Sequence, residues 1–151
     1  MKELLILGAG TGGVVAASML SHKLNLKDWR ITIADRASTH VYQPGLLFIP
    51  FRMYGYDSKD DIVKSIETPI PNNVRFVSCD VKLIDWENKK VETDTESYRY
   101  DWLVSAMGCH VAPEEIDGLQ EHMGNGVHSF YTLDGAIQMQ KALEGMHSGG
   151  S

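Results

Sequence analysis

Cysteine is scarce in this chain. Cys79 and Cys109 are the only two, they stand far apart, and neither belongs to a C-x-x-C pair or a zinc-ligand spacing. A disulfide scaffold and a structural zinc site are thereby excluded. Long apolar runs are missing as well. The longest, "GLLFIPF" (Gly45 to Phe51), is broken by Pro50 and falls far short of the ~20 residues that span a membrane. Positive charge is in deficit: 14 basic against 20 acidic residues give a formal net charge of −6. That balance argues against nucleic acid or an anionic membrane as the main partner. No internal repeat or low-complexity tract interrupts the chain.

What is present describes an ordinary globular domain. The 151 residues are 43% hydrophobic and 23% charged, and a chain of this length buries roughly 70% of the surface exposed on unfolding. The apolar start "ELLIL" runs straight into a glycine pattern. It therefore reads as a strand and not a leader, and the protein as intracellular.

Leu4 to Leu7 is short and wholly apolar, as a central parallel strand covered on both faces would be. A glycine loop follows, then "VVAASMLSHKL" as a helix and "RITIAD" (Arg30 to Asp35) as a second, β-branched strand. These make a β-α-β unit with a right-handed crossover. Residues 36 to 57, punctuated by Pro44, Gly45, Pro50 and Gly55, read as irregular. Ser58 with Asp61 three residues later marks the start of a short helix ending near Glu67. The period then changes from helical to alternating. "VRFVSCDVKLIDW", "KKVETD" and "YRYDWLVSAM" read as three or more strands, a β-meander inserted where a simple nucleotide-binding domain would continue with crossovers. Glu114 to Val127 reads as loop. Thr132 to Met146 reads as a last helix with Leu133, Ile137 and Leu143 inward, leaving one domain over residues 1–146 and a flexible tail over 147–151.

The segment "LGAGTGGVVA" holds Gly8-x-Gly10-x-x-Gly13, with Thr11 and Gly12 between. Gly8 permits the tight turn, Gly10 lets backbone approach a pyrophosphate, and Gly13 lets helix pack closely on strand. The N–H groups at the helix start then face phosphate oxygens with the helix dipole behind them. Asp35, at the end of the second strand, is placed to accept hydrogen bonds from ribose hydroxyls. Arg36 beside it can lie on or near an adenine, or simply be an exposed arginine after a strand.

The N-terminal glycine loop, the meander and "YDWLVSAMG" together resemble the FAD domain of two-dinucleotide-domain flavoproteins. In that superfamily a Tyr-Asp-x-Leu-Val-x-Ala-Thr-Gly segment returns to the flavin after the meander. Tyr100, Asp101, Leu103, Val104, Ala106 and Gly108 match it, while Met107 stands where threonine is usual. "HVYQPGLLFIPF" and "GCHVAPEEIDGL" look like the corresponding segments of sulfide:quinone oxidoreductases, and less like those of type II NADH dehydrogenases. Disulfide reductases carry a redox cysteine pair soon after the second strand, and none stands between Asp35 and Glu67 here.

The resemblance implies an α/β, Rossmann-like FAD-binding fold with a parallel sheet and the inserted meander, covering about the first third of a family-length enzyme. It implies FAD as cofactor and Val81 where backbone meets the adenine, with Ala106 and Gly108 beside the flavin. Sulfide and quinone would be the partners of the intact enzyme. That enzyme would be cytoplasmic, with peripheral membrane association only through regions outside this chain. It also puts a flavin-adjacent, sulfur-handling or flavin-linked thiol at Cys109, whereas the residue chemistry alone suits a small buried filler. Tyr42, Gln43 and Pro44 could wall such a pocket or be loop packing. His110 neighbours the thiol in sequence, and no histidine shows metal-ligand spacing. Two other readings stay open: an NADH-oxidising flavoprotein, and a nucleotide-binding module without turnover.

Overall fold

The computed structural model describes residues 1–146; the tail expected over 147–151 lies outside them. The described residues form two compact units, one of residues 1–40 and 64–108, the other of residues 41–63 and 109 onward.

The first unit is built on a parallel sheet of β1 (Lys2–Leu7), β2 (Trp29–Asp35), β5 (Arg75–Ser78) and β9 (Trp102–Ser105), in the order β5-β2-β1-β9. Leu4 pairs with Ile31 on one side and with Trp102 on the other, and Ile33 pairs with Phe76. Helix α1 (Thr11–Lys23) makes the crossover from β1 to β2. The chain steps outward from β1 to β2 and β5, then returns to β9 on the far side of β1. In parallel sheets that reversal opens a crevice at the carboxyl ends of the strands, where ligands bind. Here the end of β1 is Leu7, and Gly8 follows.

The all-apolar β1 is explained by its two faces. Side chains alternate across a strand, so Leu4 and Ile6 enter one core with Ala17, Ile31, Ile33, Ile66, Ile70 and Val74. Leu5 and Leu7 enter another with Ala34, Cys79, Val91 and Tyr100. Helix α1 covers the first face with small residues four apart, Gly13, Ala17 and Ser21, all buried. The second face is covered by a three-stranded antiparallel meander of β6 (Val81–Asp85), β7 (Lys90–Thr93) and β8 (Ser97–Arg99).

The expected strand across "VRFVSCDVKLIDW" breaks at Cys79-Asp80. The Cys79 N–H donates to the Asp35 carbonyl at 3.0 Å, extending the parallel sheet by one residue. The Asp80 N–H donates to the Asp94 carboxylate at 2.8 Å, opening the meander. Tyr98 to Met107 divides likewise into β8 and β9.

Three local expectations change. The helix after Ser58 is a single turn, α3 (Lys59–Ile62), and the chain then becomes β4 (Val63–Ser65), paired with β3 (Thr39–Val41). Ser58 N–H does donate to the Asp61 carboxylate at 2.9 Å, but the β-branched Val63 at the helix end is extended. The stretch 36–57 is not irregular throughout. Beyond β3 it carries α2 (Gln43–Phe48) and a 3-10 turn Ile49–Phe51. The stretch 114–127 opens on the end of a 3-10 turn, Pro113–Glu115, and contains one α-helical turn, α4 (Leu119–His122).

In the second unit Leu46, Ile49, Ile62 and Ala136 form the core. Its main helix is α5 (Leu133–Glu144), capped by Thr132, whose hydroxyl accepts from Gly135 N–H at 3.1 Å. The inward residue is Ala136, with Leu133 packed beside it, while Ile137 and Leu143 are half-buried. Gln140 donates to the carbonyls of Ile49 at 2.8 Å and Asp57 at 3.0 Å. Tyr42 and Phe48 stack against Tyr56, and "GLLFIPF" divides between buried Leu46 and Ile49 and exposed Leu47 and Phe51. Among the described residues no helix is long and apolar enough to cross a membrane.

Ile33 is fully buried in the first core. Ile33→Ala should lower unfolding free energy by about 2–5 kcal/mol. Urea denaturation should show a lower midpoint with little change in slope.

Candidate functional site

The carbonyl oxygen of Gly8 organises the loop. Gly8 has φ +95°, and a side chain there would overlap the backbone of Ala106 at the end of β9. A side chain on Gly13 would overlap the Gly8 carbonyl oxygen itself. Gly10 differs, because a methyl group there meets nothing within 4 Å. Thus Gly8 and Gly13 are buried spacers, whereas Gly10, Thr11 and Gly12 face solvent.

Gly10 is the cap residue of α1, with no side-chain cap bond and no acidic residue in the first turn. Its carbonyl takes the Val14 N–H at 3.0 Å. The N–H groups of the first turn, which have no acceptor inside a helix, are left for an anion, and the helix dipole favours one. Serine or aspartate at position 10 would occupy that place; glycine leaves it open.

Asp35 lies at the mouth of the loop and already has two partners. One carboxylate oxygen accepts the Ala9 N–H at 2.6 Å, the other the Ala37 N–H at 2.8 Å. His40 Nδ1 lies 3.1 Å from the Ala9 carbonyl, so residue 9 is held on both sides of its peptide. Each carboxylate oxygen has a second lone pair, so Asp35 can shape the loop and still accept from a ligand hydroxyl.

A cleft of about 300 Å³ opens beside these groups, lined by Gly8, Ala34, Asp35, Arg36, Cys79, Asp80, Val81 and Met107. Four expected residues thus meet in one place: Gly8, Asp35, Arg36 and Val81. Thr11, Gly12 and Gly13 stand on the helix start next to it. Ala106 donates its N–H to Leu7 at 2.7 Å and packs at the loop through its backbone. Gly108 is exposed with φ +75°.

Sequence reasoning missed Asp80, Cys79 and Met107 as lining residues. The signal for the first two was their position between a parallel and an antiparallel strand. Asp80 is held ionised below the usual carboxylate range by its bond to Lys82 at 2.7 Å, with Arg36 Nη1 adding a weaker pull from 3.9 Å. Burial pushes the Cys79 thiol up, and the Asp94, Asp80 and Asp35 carboxylates push the same way against a bond from Thr93. Cys79 therefore stays a neutral thiol at neutral pH, a poor nucleophile.

Cys109, in the second unit, is exposed and is not the buried filler that its residue type suits. Its sulfur lies 2.9 Å from the Tyr131 hydroxyl. That bond pushes the Tyr131 phenol above its usual value. His110 makes no hydrogen bond to the thiol among the described residues. No cluster of three or more His, Cys, Asp or Glu is placed to hold a metal there either.

The family profile described as pyridine nucleotide-disulphide oxidoreductase matches residues 2–144. The chain belongs to this family. The loop, Asp35 and the cleft lie within the matched span. The mitochondrial sulfide:quinone oxidoreductase of Dictyostelium discoideum is 30% identical over 151 residues, 99% of this chain and 32% of that protein. A type II NADH:quinone oxidoreductase of Staphylococcus epidermidis is 32% identical over 122 residues, 80% of this chain and 30% of that protein. The fold is shared with the sulfide:quinone oxidoreductase of Aquifex aeolicus, at TM-score 0.69 and 23% identity over 95% of this chain and 32% of that one. It is shared also with NDH2 of Plasmodium falciparum, at TM-score 0.66 and 17% identity over 93% of this chain and 28% of that one. This chain thus spans about a third of the length of its relatives.

Two substitutions separate the roles in the glycine loop. Gly13→Ala should destabilise the first unit and abolish adenine-nucleotide binding, because the methyl group forces α1 off Gly8. Gly10→Ala should leave stability within about 1 kcal/mol and weaken nucleotide binding at least tenfold, which denaturation and equilibrium dialysis would read in parallel. A neutral-pH alkylating reagent should label Cys109 and spare Cys79; peptide mass mapping after a short pulse reads which thiol reacted.

Proposed function

We propose that this chain is the FAD-binding N-terminal part of a flavin-dependent, quinone-reducing oxidoreductase of the sulfide:quinone type. The observation that carries the reading is the open start of α1: Gly10 uncapped, no carboxylate in the first turn, and Asp35 fixed at its mouth. That arrangement fits a pyrophosphate flanked by a ribose. When bound, a flavin supplies the two-electron chemistry between a donor and a quinone.

The chain's own groups bind and orient. First-turn N–H groups of Thr11, Gly12 and Gly13 hold phosphate oxygens, and the remaining lone pairs of Asp35 take ribose hydroxyls. Arg36 and Val81 border the adenine cleft, with Ala106 and Gly108 giving backbone toward the flavin side. Arg36 is exposed, and its distant, partial contact with Asp80 leaves its guanidinium plane available to a base. Cys109, one peptide bond beyond Gly108, is the thiol assigned to sulfur chemistry; as thiolate it is the nucleophile. In a protein of the relatives' length, sulfide would be the donor and a membrane quinone the acceptor. Such a protein would act at the cytoplasmic face of the membrane.

A second reading has its own support. The similarity to type II NADH:quinone oxidoreductases keeps the FAD site and replaces sulfide with NADH as donor, leaving Cys109 without a redox task.

FAD titrated into the isolated chain should bind weakly and be lost on gel filtration, because the chain spans only about a third of the length of the relatives it matches. Stoichiometric yellow protein after filtration would contradict that expectation. No saturable binding of FAD or ADP would contradict the site. In a protein of family length, sulfide-driven quinone reduction lost in Cys109→Ser supports the first reading; NADH-driven reduction indifferent to Cys109 supports the second.

A further inference from the structure

The partner of the Cys109 sulfur comes from far along the chain, and its placement does not depend on the thiol. Tyr131 is fixed by its own backbone. Its N–H donates to the Ser129 hydroxyl at 3.2 Å, and the next residue, Thr132, caps α5 through Gly135 N–H at 3.1 Å. Gly135 in turn has no room for a side chain against the Ser129 carbonyl. The helix start thus presents a phenol at a set position, and the sulfur lies 2.9 Å from its oxygen.

A phenol can donate or accept, and so can a neutral thiol; a thiolate can only accept. A hydrogen bond to a charged acceptor is roughly twice as strong as a neutral one. We propose that Tyr131 is the positioning residue for Cys109, its hydroxyl donating to the sulfur so that the thiolate is both oriented and stabilised. The inference rests on the reading of Cys109 as the working thiol. It adds to that reading the group that sets the thiol's direction and reactivity.

The electrostatics agree with this direction of donation. The phenol is pushed up by its bond to Cys109 and by the charge on the sulfur, with a small contribution from burial. The phenol therefore keeps its proton at neutral pH and is available as a donor to the sulfur. Among the described residues, Tyr131 is hydrogen-bonded to the Cys109 sulfur, and Cys109 is the group whose charge raises the phenol. Coupling of this kind is reciprocal, so each partner must register removal of the other.

The test uses the 151-residue chain and reads both directions. Iodoacetamide alkylation of Cys109 is followed against pH by peptide mass spectrometry, which keeps Cys79 separate. Tyr131→Phe retains the ring and removes the donor. Its alkylation profile should move upward by about half to one pH unit, the size expected for losing one charge-assisted bond at an exposed site. The midpoint is the readout, because intrinsic nucleophilicity changes in the opposite sense to thiolate fraction. Should Tyr131→Phe fold poorly, Cys109→Ala with carbon-13 labelling of the tyrosine rings provides the reciprocal measurement, and Tyr131 should then ionise at lower pH. An unchanged alkylation midpoint, or an unchanged Tyr131 titration, would overturn the proposal. Neither readout involves flavin, sulfide or quinone. A Cys109 idle in turnover would therefore sink the functional reading while leaving the coupling measurable, and the converse holds as well.

Discussion

The contact on which the structure depends is the one between Gly13 and the carbonyl oxygen of Gly8. With no side chain between them, the first turn of α1 lies directly on the turn that ends β1. That closeness aims the helix start at the crevice where the sheet reverses its strand order. It also sets the helix axis so that Ala17 and Ser21 can rest on the sheet face made by Leu4, Ile6, Ile31 and Ile33. Binding geometry and core packing are therefore two results of one steric condition. A methyl group at position 13 would disturb both, while a methyl group at position 10 would disturb only the first.

A second constraint is the double use of Asp35. Its carboxylate ties the Ala9 peptide to the end of β2 and the Ala37 peptide to the turn that follows. A buried or half-buried backbone N–H without an acceptor is costly, so this carboxylate is needed before any ligand arrives. A ligand hydroxyl bound there would meet lone pairs that are already oriented, which would lower the ordering cost of the complex. Cys79 and Asp80 complete the cleft in the same economical way. They are the residues at which the chain leaves the parallel sheet for the meander, and their backbone bonds to Asp35 and Asp94 fix the wall.

Much of this could be read in the sequence because it follows from periodicity and from glycine. The unbroken apolar run of β1 required two covered faces, and α1 and the meander supply them. The glycine spacing identified the loop, Asp35 fell at the end of the second strand, and Val81 came from the family resemblance and lines the same cleft. The residues that escaped did so for physical reasons. Val63 turns a capped helical start into strand after one turn, because pairing with β3 outweighs a weak local helix signal. The stretch 36–57 looked irregular because its elements are held by tertiary bonds, such as those from Gln140, and not by propensity. The partnership of Cys109 with Tyr131 joins residues far apart in sequence, with no motif to announce it. His110, the sequence neighbour, is not the thiol's partner. Exposure of Cys109 likewise departs from the buried filler that its residue type suits.

The central claim is that a dinucleotide pyrophosphate rests on the start of α1. Amide chemical-shift mapping of the isotope-labelled chain during titration with ADP tests it most directly. The account predicts that the amides of Gly10, Thr11, Gly12 and Gly13 shift most, with Arg36 and Val81 following and the amides of α5 unmoved. Shifts concentrated elsewhere, with the Gly10 to Gly13 amides unchanged at saturating nucleotide, would contradict it.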